Sequence, residues 1–268
     1  MVEKAGFLQV KPYCPFILPV IVKSDCFFSE ILRTAHVCSI IIKNKLGPLS
    51  PAGSKPRQID FADALKGLRN KYPEMFSRNK ADARASFKTG DSRIDGLFPQ
   101  GGLPAGILIE LTGAVSSGKT KLLFQLLAGY QKTLQIAYVD CSTTFFPVAA
   151  SAAGVNVEQL LCIMTNSSCE AVRAAENLFR LTPARVIVCD VTGRNDKLRM
   201  EQVHRLRICA VKYQGLVIFL TDTGGQMFPP SLMAVQMTAA RRSRKAIAVM
   251  VTRSKISPEG QSTEIVLP

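Results

Sequence analysis

Gly113-Ala-Val-Ser-Ser-Gly-Lys-Thr120 decides how this chain is read. It fits G-x-x-x-x-G-K-[ST], the loop whose backbone N–H groups cradle nucleotide phosphates. The neighbouring sequence supplies the context that pattern needs. Ile107-Leu-Ile-Glu-Leu-Thr112 precedes it, a short apolar run suited to a strand covered on both faces. Leu122-Leu-Phe-Gln-Leu-Leu-Ala128 follows it, apolar and free of Gly and Pro, which reads as a helix. Glycines let the backbone curl toward an anion, and the helix N-terminus adds partial positive charge. The nucleotide-binding residues are therefore Gly113, Ala114, Val115, Ser116, Ser117, Gly118, Lys119 and Thr120. In this motif the lysine reaches the β- and γ-phosphates and the Thr hydroxyl ligates Mg²⁺, so ATP and Mg²⁺ are the implied cofactors. The competing reading is an ordinary glycine turn between strand and helix.

Working outward, strands and helices alternate. Gln135–Asp140, Leu160–Met164, Arg185–Asp190, Leu216–Thr221 and Ala246–Val251 read as strands. Phe145–Ala153, Glu170–Leu181 and Leu198–Tyr213 read as helices, and Glu264–Leu267 as a last strand at an edge. Unbroken apolar strands predict a mostly parallel central sheet with helices on both faces, an α/β fold of the P-loop NTPase kind. Upstream, Phe61, Leu65, Leu68, Tyr72 and Phe76 recur at helical spacing behind Asp60 as N-cap. An N-terminal helix and link over 57–85 thus precedes the core at 86–268. Leu46-Gly-Pro-Leu-Ser-Pro-Ala-Gly-Ser-Lys-Pro56 has linker composition. It sets off residues 1–56, whose first 50 are readable as upstream sequence outside the protein proper.

The 268 residues carry a net charge of +14, which favours anionic partners such as nucleic acid. The eight cysteines show no metal-ligand spacing. Cys162 and Cys189 lie in apolar runs, where Cys acts as a small buried hydrophobe. Phe16–Val22 is too short to cross a bilayer, so a cytoplasmic protein with reduced thiols and no membrane partner is expected. Asp190 ends an apolar strand some 70 residues after the loop, the place for a carboxylate that supports Mg²⁺ through water; Asp140 ends another.

A family resemblance rests on a longer series of residues. Phe87-Lys-Thr-Gly90, Ile94-Asp95, Gly101-Gly-Leu-Pro-Ala-Gly106, Ile109-Glu110 and Gly113–Thr120 fall in the order and spacing of bacterial RecA recombinases. The series continues through Val139-Asp140, Pro147, Gly154-Val155 and Leu160-Leu-Cys162, then Val186–Asp190 and Val217-Ile-Phe219. The chain resembles that family over about residues 86–256. The resemblance implies a RecA-like core acting in DNA repair, recombination or the SOS damage response. The departures from the family pattern are equally specific. Ser142 stands where the family carries the glutamate that positions the attacking water, and a hydroxyl without an activating partner is no general base. Asp222 stands where the family has a glutamine that senses the γ-phosphate, and a carboxylate there repels phosphate. The segments matching the family's DNA path, Thr192–Asp196 and Gly224–Pro230, are short.

Such losses resemble ImuA-type proteins, shortened RecA relatives that accompany a translesion polymerase. Either role, ImuA-like accessory or recombinase, carries nucleotide binding with weak or absent hydrolysis, and no catalytic residue is assigned. Arg241, Arg242, Arg244 and Lys245 form a basic cluster, followed by Arg253 and Lys255. They are the candidate contacts to DNA, expected to be single-stranded and held through its phosphates. Arg253 and Lys255 also match family lysines that reach the nucleotide of a neighbouring subunit, which implies self-association. The competing reading of the cluster is a solvated basic face. A P-loop kinase or metabolic ATPase unrelated to DNA is the alternative from another class.

Overall fold

Apolar residues alternate between two faces along each central strand, and that alternation builds two cores. In the computed structural model, which describes residues 20–22, 39–43, 66–67, 69–70, 86–196, 198–222, 228 and 231–266, the first of these strands is β5, Ile107–Gly113. Its Ile109 and Leu111 face one core and Leu108 the other. Strands β6 (Ile136–Asp140), β8 (Val186–Asp190) and β9 (Leu216–Asp222) divide in the same way. Tyr138, Val188 and Ile218 lie on the first side, and Ala137, Ile187, Val217 and Phe219 on the second.

Helix α2, Lys119–Gln131, covers the first side through Leu122, Leu123, Leu126 and Leu127. A short helix, α3 (Pro147–Ala152), adds Ala150. The second side is covered by α4 (Ser168–Leu181) and α5 (Met200–Lys212), through Val172, Ala175, Leu178 and Phe179 and through Val203 and Leu206. Ser167 caps α4 by accepting from the Glu170 N–H, which satisfies one of the helix's orphan donors.

The remaining elements are β1 (Val20–Val22), β2 (Ser39–Lys43), β7 (Leu160–Met164), β10 (Val235–Arg241), β11 (Ala246–Ser254) and β12 (Ser262–Val266). They complete one sheet in the order β1-β2-β7-β6-β8-β9-β5-β10-β11-β12. All neighbours from β1 to β10 are parallel; β10–β11 and β11–β12 are antiparallel. A separate hairpin, β3 (Ser86–Phe87) with β4 (Leu103–Pro104), brackets the single-turn helix α1 (Ser92–Asp95). The α/β fold with helices on both faces of a mostly parallel sheet is thus as the sequence predicts.

Three details differ. Strand β10 has no counterpart in the sequence reading, although Val235, Met237 and Ala239 alternate inward along it. The last strand starts earlier, at Ser262. Two short strands of the N-terminal segment, β1 and β2, join the sheet beside β7. Residues 66–67 and 69–70 are helical; the rest of the 57–85 helix and link, and the linker at 46–56, lie outside the described residues. Among the described residues, no helix is long and apolar enough to cross a membrane. Cys162 and Cys189 are buried thiols, and burial pushes both well above the usual thiol range.

Candidate nucleotide site

The loop that follows β5 is held by close packing. A side chain at Gly113 would meet Ser117 Oγ and, at 2.8 Å, the Ala239 carbonyl of β10. Gly118 has φ +86°, a left-handed conformation, and a Cβ there would lie 2.5 Å from Ile247 Cδ1. Both positions therefore demand glycine. Ser116 also adopts a left-handed φ of 63°, and the Ser117 N–H donates to the Ala114 carbonyl at 3.1 Å. Gly118 is the N-cap of α2 and supplies no side-chain cap. The N-terminus of this 13-residue helix thus opens on the loop with no N-cap side chain, the Lys119 N–H reaching the Ser117 hydroxyl at 3.4 Å, and its partial positive charge favours an anion.

Lys119 is 7% exposed. Its Nζ donates to the Gly113 carbonyl at 2.8 Å and pairs with Asp222 Oδ1 at 2.5 Å. Asp222 reaches it because the β5–β9 register sets Asp222 beside Gly113. The second Asp222 oxygen accepts the Gly193 N–H at 2.7 Å. Burial alone would raise the Asp222 carboxyl. The Lys119 hydrogen bond, the Gly193 N–H and the lysine charge outweigh it and hold the carboxyl below its ordinary value.

The other acids near this end of the sheet are engaged in the fold. Asp140 is 2% exposed and accepts from the backbone N–H groups of Ser142 at 3.0 Å and Phe145 at 3.0 Å. It thereby ties down the loop that carries Ser142. Ser142 Oγ lies 3.3 Å from Asp140 Oδ1 and 3.1 Å from Thr144 Oγ1. Asp190 is 1% exposed. Its Oδ1 accepts from the Thr192 N–H and hydroxyl, and its Oδ2 from the Tyr138 hydroxyl at 2.7 Å and Thr144. Burial first, then the Asp190 charge, drives the Tyr138 hydroxyl well above its ordinary pKa, so it remains a donor. Two strand spacings separate β8 from β5, about 10 Å in the sheet. Glu110, also buried, accepts from Thr221 at 2.9 Å and Gln236 at 2.7 Å.

The segment Thr192–Asp196 is bound inward at several points. Thr192 bonds Asp190, Gly193 bonds Asp222, Arg194 Nε donates to the Cys141 carbonyl at 2.9 Å, and Asp196 accepts from the Ser168 N–H at the start of α4. Gly224–Pro230 lies outside the described residues except for Phe228, whose ring packs on Phe219 with centroids 4.3 Å apart.

The basic residues divide into two places. Arg241, Arg242, Arg244 and Lys245 are exposed at the β10–β11 turn. Because β10 runs parallel to β5 and extends past it, this turn stands at the phosphate-loop end of the sheet. Arg253 and Lys255 are exposed at the opposite end of β11, about 20 Å away at ~3.4 Å per residue. The Lys255 ammonium donates to the Ser231 carbonyl. The missed residue of consequence at the site is Gly193, which no sequence pattern marks. Its neighbour Asp190 and the shortness of the following segment are the only sequence signals near it.

Comparison with known proteins agrees with this architecture. The family model described as the RecA N-terminal domain matches residues 74–196. Protein RecA of Herpetosiphon aurantiacus is 33% identical over 141 residues, 51% of this chain and 39% of that protein. Protein RecA of Marinobacter nauticus is 36% identical over 110 residues, 41% of this chain and 32% of that protein. The chain thus spans well under half the length of the curated relatives it matches. Among solved structures, the RadB recombinase superposes with a TM-score of 0.55 at 18% identity, over 66% of this chain and 94% of that one, a likeness of fold. The loop, the sheet order and these matches together make the chain similar to RecA in sequence over its N-terminal-domain region and RecA-like in fold.

Proposed function

We propose that this chain binds a magnesium nucleotide at Gly113–Thr120 and works on DNA in repair, recombination or the SOS damage response, with slow or absent ATP hydrolysis. The observation that carries the reading is the buried Lys119 ammonium beside the uncapped N-terminus of α2. A left-handed Gly118, a helix N-terminus with no N-cap side chain and a lysine beneath it fit the phosphates of a nucleotide. Thr120 would ligate Mg²⁺, and Asp190 would support it through water. The metal would neutralise phosphate charge, while the loop orients the phosphates.

Loss of the positioning glutamate at Ser142, together with a Thr192–Asp196 segment tied to the fold, supports an ImuA-like accessory role beside a translesion polymerase over a recombinase role. The separation of the two basic groups supports head-to-tail self-association. The Arg241–Lys245 turn would face DNA phosphates, and Arg253 and Lys255 would face the nucleotide of a neighbouring copy. A cytoplasmic location follows from this reading.

The DNA contacts carry their own test. Replacing Arg241, Arg242, Arg244 and Lys245 by Ala should weaken single-stranded DNA binding by similar factors across sequences. The slope of log affinity against log salt should flatten by up to about three units, at ~0.7 per lost phosphate contact. Affinity measured at several salt concentrations decides it, and an unchanged slope would make the turn a solvated face. Titrating nucleotide and single-stranded DNA into the same sample separates this reading from a kinase or metabolic ATPase, which would bind the first and ignore the second.

A further inference from the structure

We propose that Asp222 stands in for a γ-phosphate and makes the loop a nucleoside-diphosphate site that discriminates against triphosphates. This rests on the reading of Gly113–Thr120 as a nucleotide site. A lysine ammonium has three N–H donors. One Lys119 donor goes to the Gly113 carbonyl at 2.8 Å and a second to Asp222 Oδ1 at 2.5 Å. One remains. In a loop of this kind the lysine serves both the β- and γ-phosphates. With Asp222 in place, the remaining donor can serve the β-phosphate, while the donor a γ-phosphate needs is already held by a carboxylate.

The carboxylate is fixed from two further directions. The β5–β9 register sets its backbone beside the first residue of the loop. The Gly193 N–H holds its other oxygen at 2.7 Å. Its side chain is 38% exposed, so it borders the space above the loop instead of lying within the core. A γ-phosphate entering there would meet a fixed negative charge and compete with it for Lys119. A diphosphate would end short of it. Discrimination thus arises from a repulsive group placed against the wrong ligand.

The same contact gives the diphosphate state a structural reach. Asp222 joins Lys119 to Gly193, and Gly193 adjoins Thr192 and Arg194, which bond Asp190 and the Cys141 carbonyl. Displacing Asp222 from Lys119 would release one tie on that segment.

The test is equilibrium titration of the full chain with Mg-ADP and Mg-ATP, in the parent, Asp222→Asn and Asp222→Ala. Asn keeps the shape, removes the charge and offers an amide donor to a phosphate oxygen. The parent should bind Mg-ADP at least tenfold more tightly than Mg-ATP, a difference of about 1.4 kcal/mol. Asp222→Asn should bring the two within about threefold, chiefly by tightening Mg-ATP. Equal affinities in the parent overturn the proposal without any variant. A preference that persists in both variants overturns it as well, and Asp222→Ala decides if Asp222→Asn does not fold. Failure of the parent and both variants to bind either nucleotide overturns the nucleotide-site reading itself, and this proposal with it.

Discussion

ATP turnover by the unmodified chain should run about 10²–10⁴-fold below that of a relative with a positioned general base, with or without single-stranded DNA. Hydrolysis needs a water that is polarised and held in line with the γ-phosphate. The position where the RecA pattern carries a glutamate is Ser142, whose hydroxyl sits between Asp140 and Thr144. Among the described residues, the buried acids nearby are already engaged. Asp140 accepts the N–H groups of its own loop, Asp190 accepts from Tyr138 and Thr192, and Glu110 accepts from Thr221 and Gln236. Each is spent on a hydrogen bond that holds the fold. Ser142→Glu should restore part of the rate, and Ser142→Glu with Asp222→Asn should restore more, because the second change frees Lys119. Phosphate release under steady-state conditions measures both. Brisk DNA-stimulated turnover in the parent, abolished by Lys119→Ala, would mean that another carboxylate is the base, and the recombinase role would then lead.

Lys119→Ala should weaken nucleotide binding by roughly ten- to a hundredfold, the worth of a hydrogen bond to a charged group at about 1.5–3 kcal/mol. The substitution removes the donor that faces the phosphates and also leaves the Asp222 carboxylate uncompensated at the mouth of the loop. Both changes act against an anionic ligand. Lys119→Ala combined with Asp222→Ala should therefore bind better than Lys119→Ala alone. The two effects are coupled through one contact, so the double variant should depart from simple addition. Calorimetric titration of the single and double variants checks this. Equal affinity in Lys119→Ala and the parent would place the nucleotide elsewhere.

The loop and the strands that carry it were legible because each is encoded locally. Apolar runs such as Val186–Cys189 and Leu216–Leu220 are long enough to fix strands, and Gly118 is needed wherever the chain turns left-handed into a helix. Strand β10 escaped because its alternation of Val235, Met237 and Ala239 with Gln236 and Thr238 is short and ends in the small Ala239 and Ala240. Its inward Val235, Met237 and Ala239 gain their meaning from β5, more than a hundred residues earlier. The residue types at 142 and 222 were readable as departures from a pattern. What they do was not. Asp222 reads in sequence as a charge that repels phosphate; the register of β9 on β5 turns it into the partner of Lys119. Gly193 carries no chemical label at all, since its role is a backbone N–H. The basic residues were read as one group by their nearness in sequence, whereas an antiparallel strand sends Arg253 and Lys255 to the far end of the sheet.

The most direct measurement of the central claim is amide hydrogen exchange of the whole chain with and without Mg-ADP, followed at peptide resolution. Nucleotide bound through the backbone of Gly113–Thr120 should slow exchange in that loop and the first turn of α2, with a smaller slowing in Thr192–Asp196 through Gly193 and Asp222. Exchange at β12, on the far edge of the sheet, should be unchanged. Saturating Mg-ADP that leaves the loop unprotected, or that protects a different region, would contradict the account.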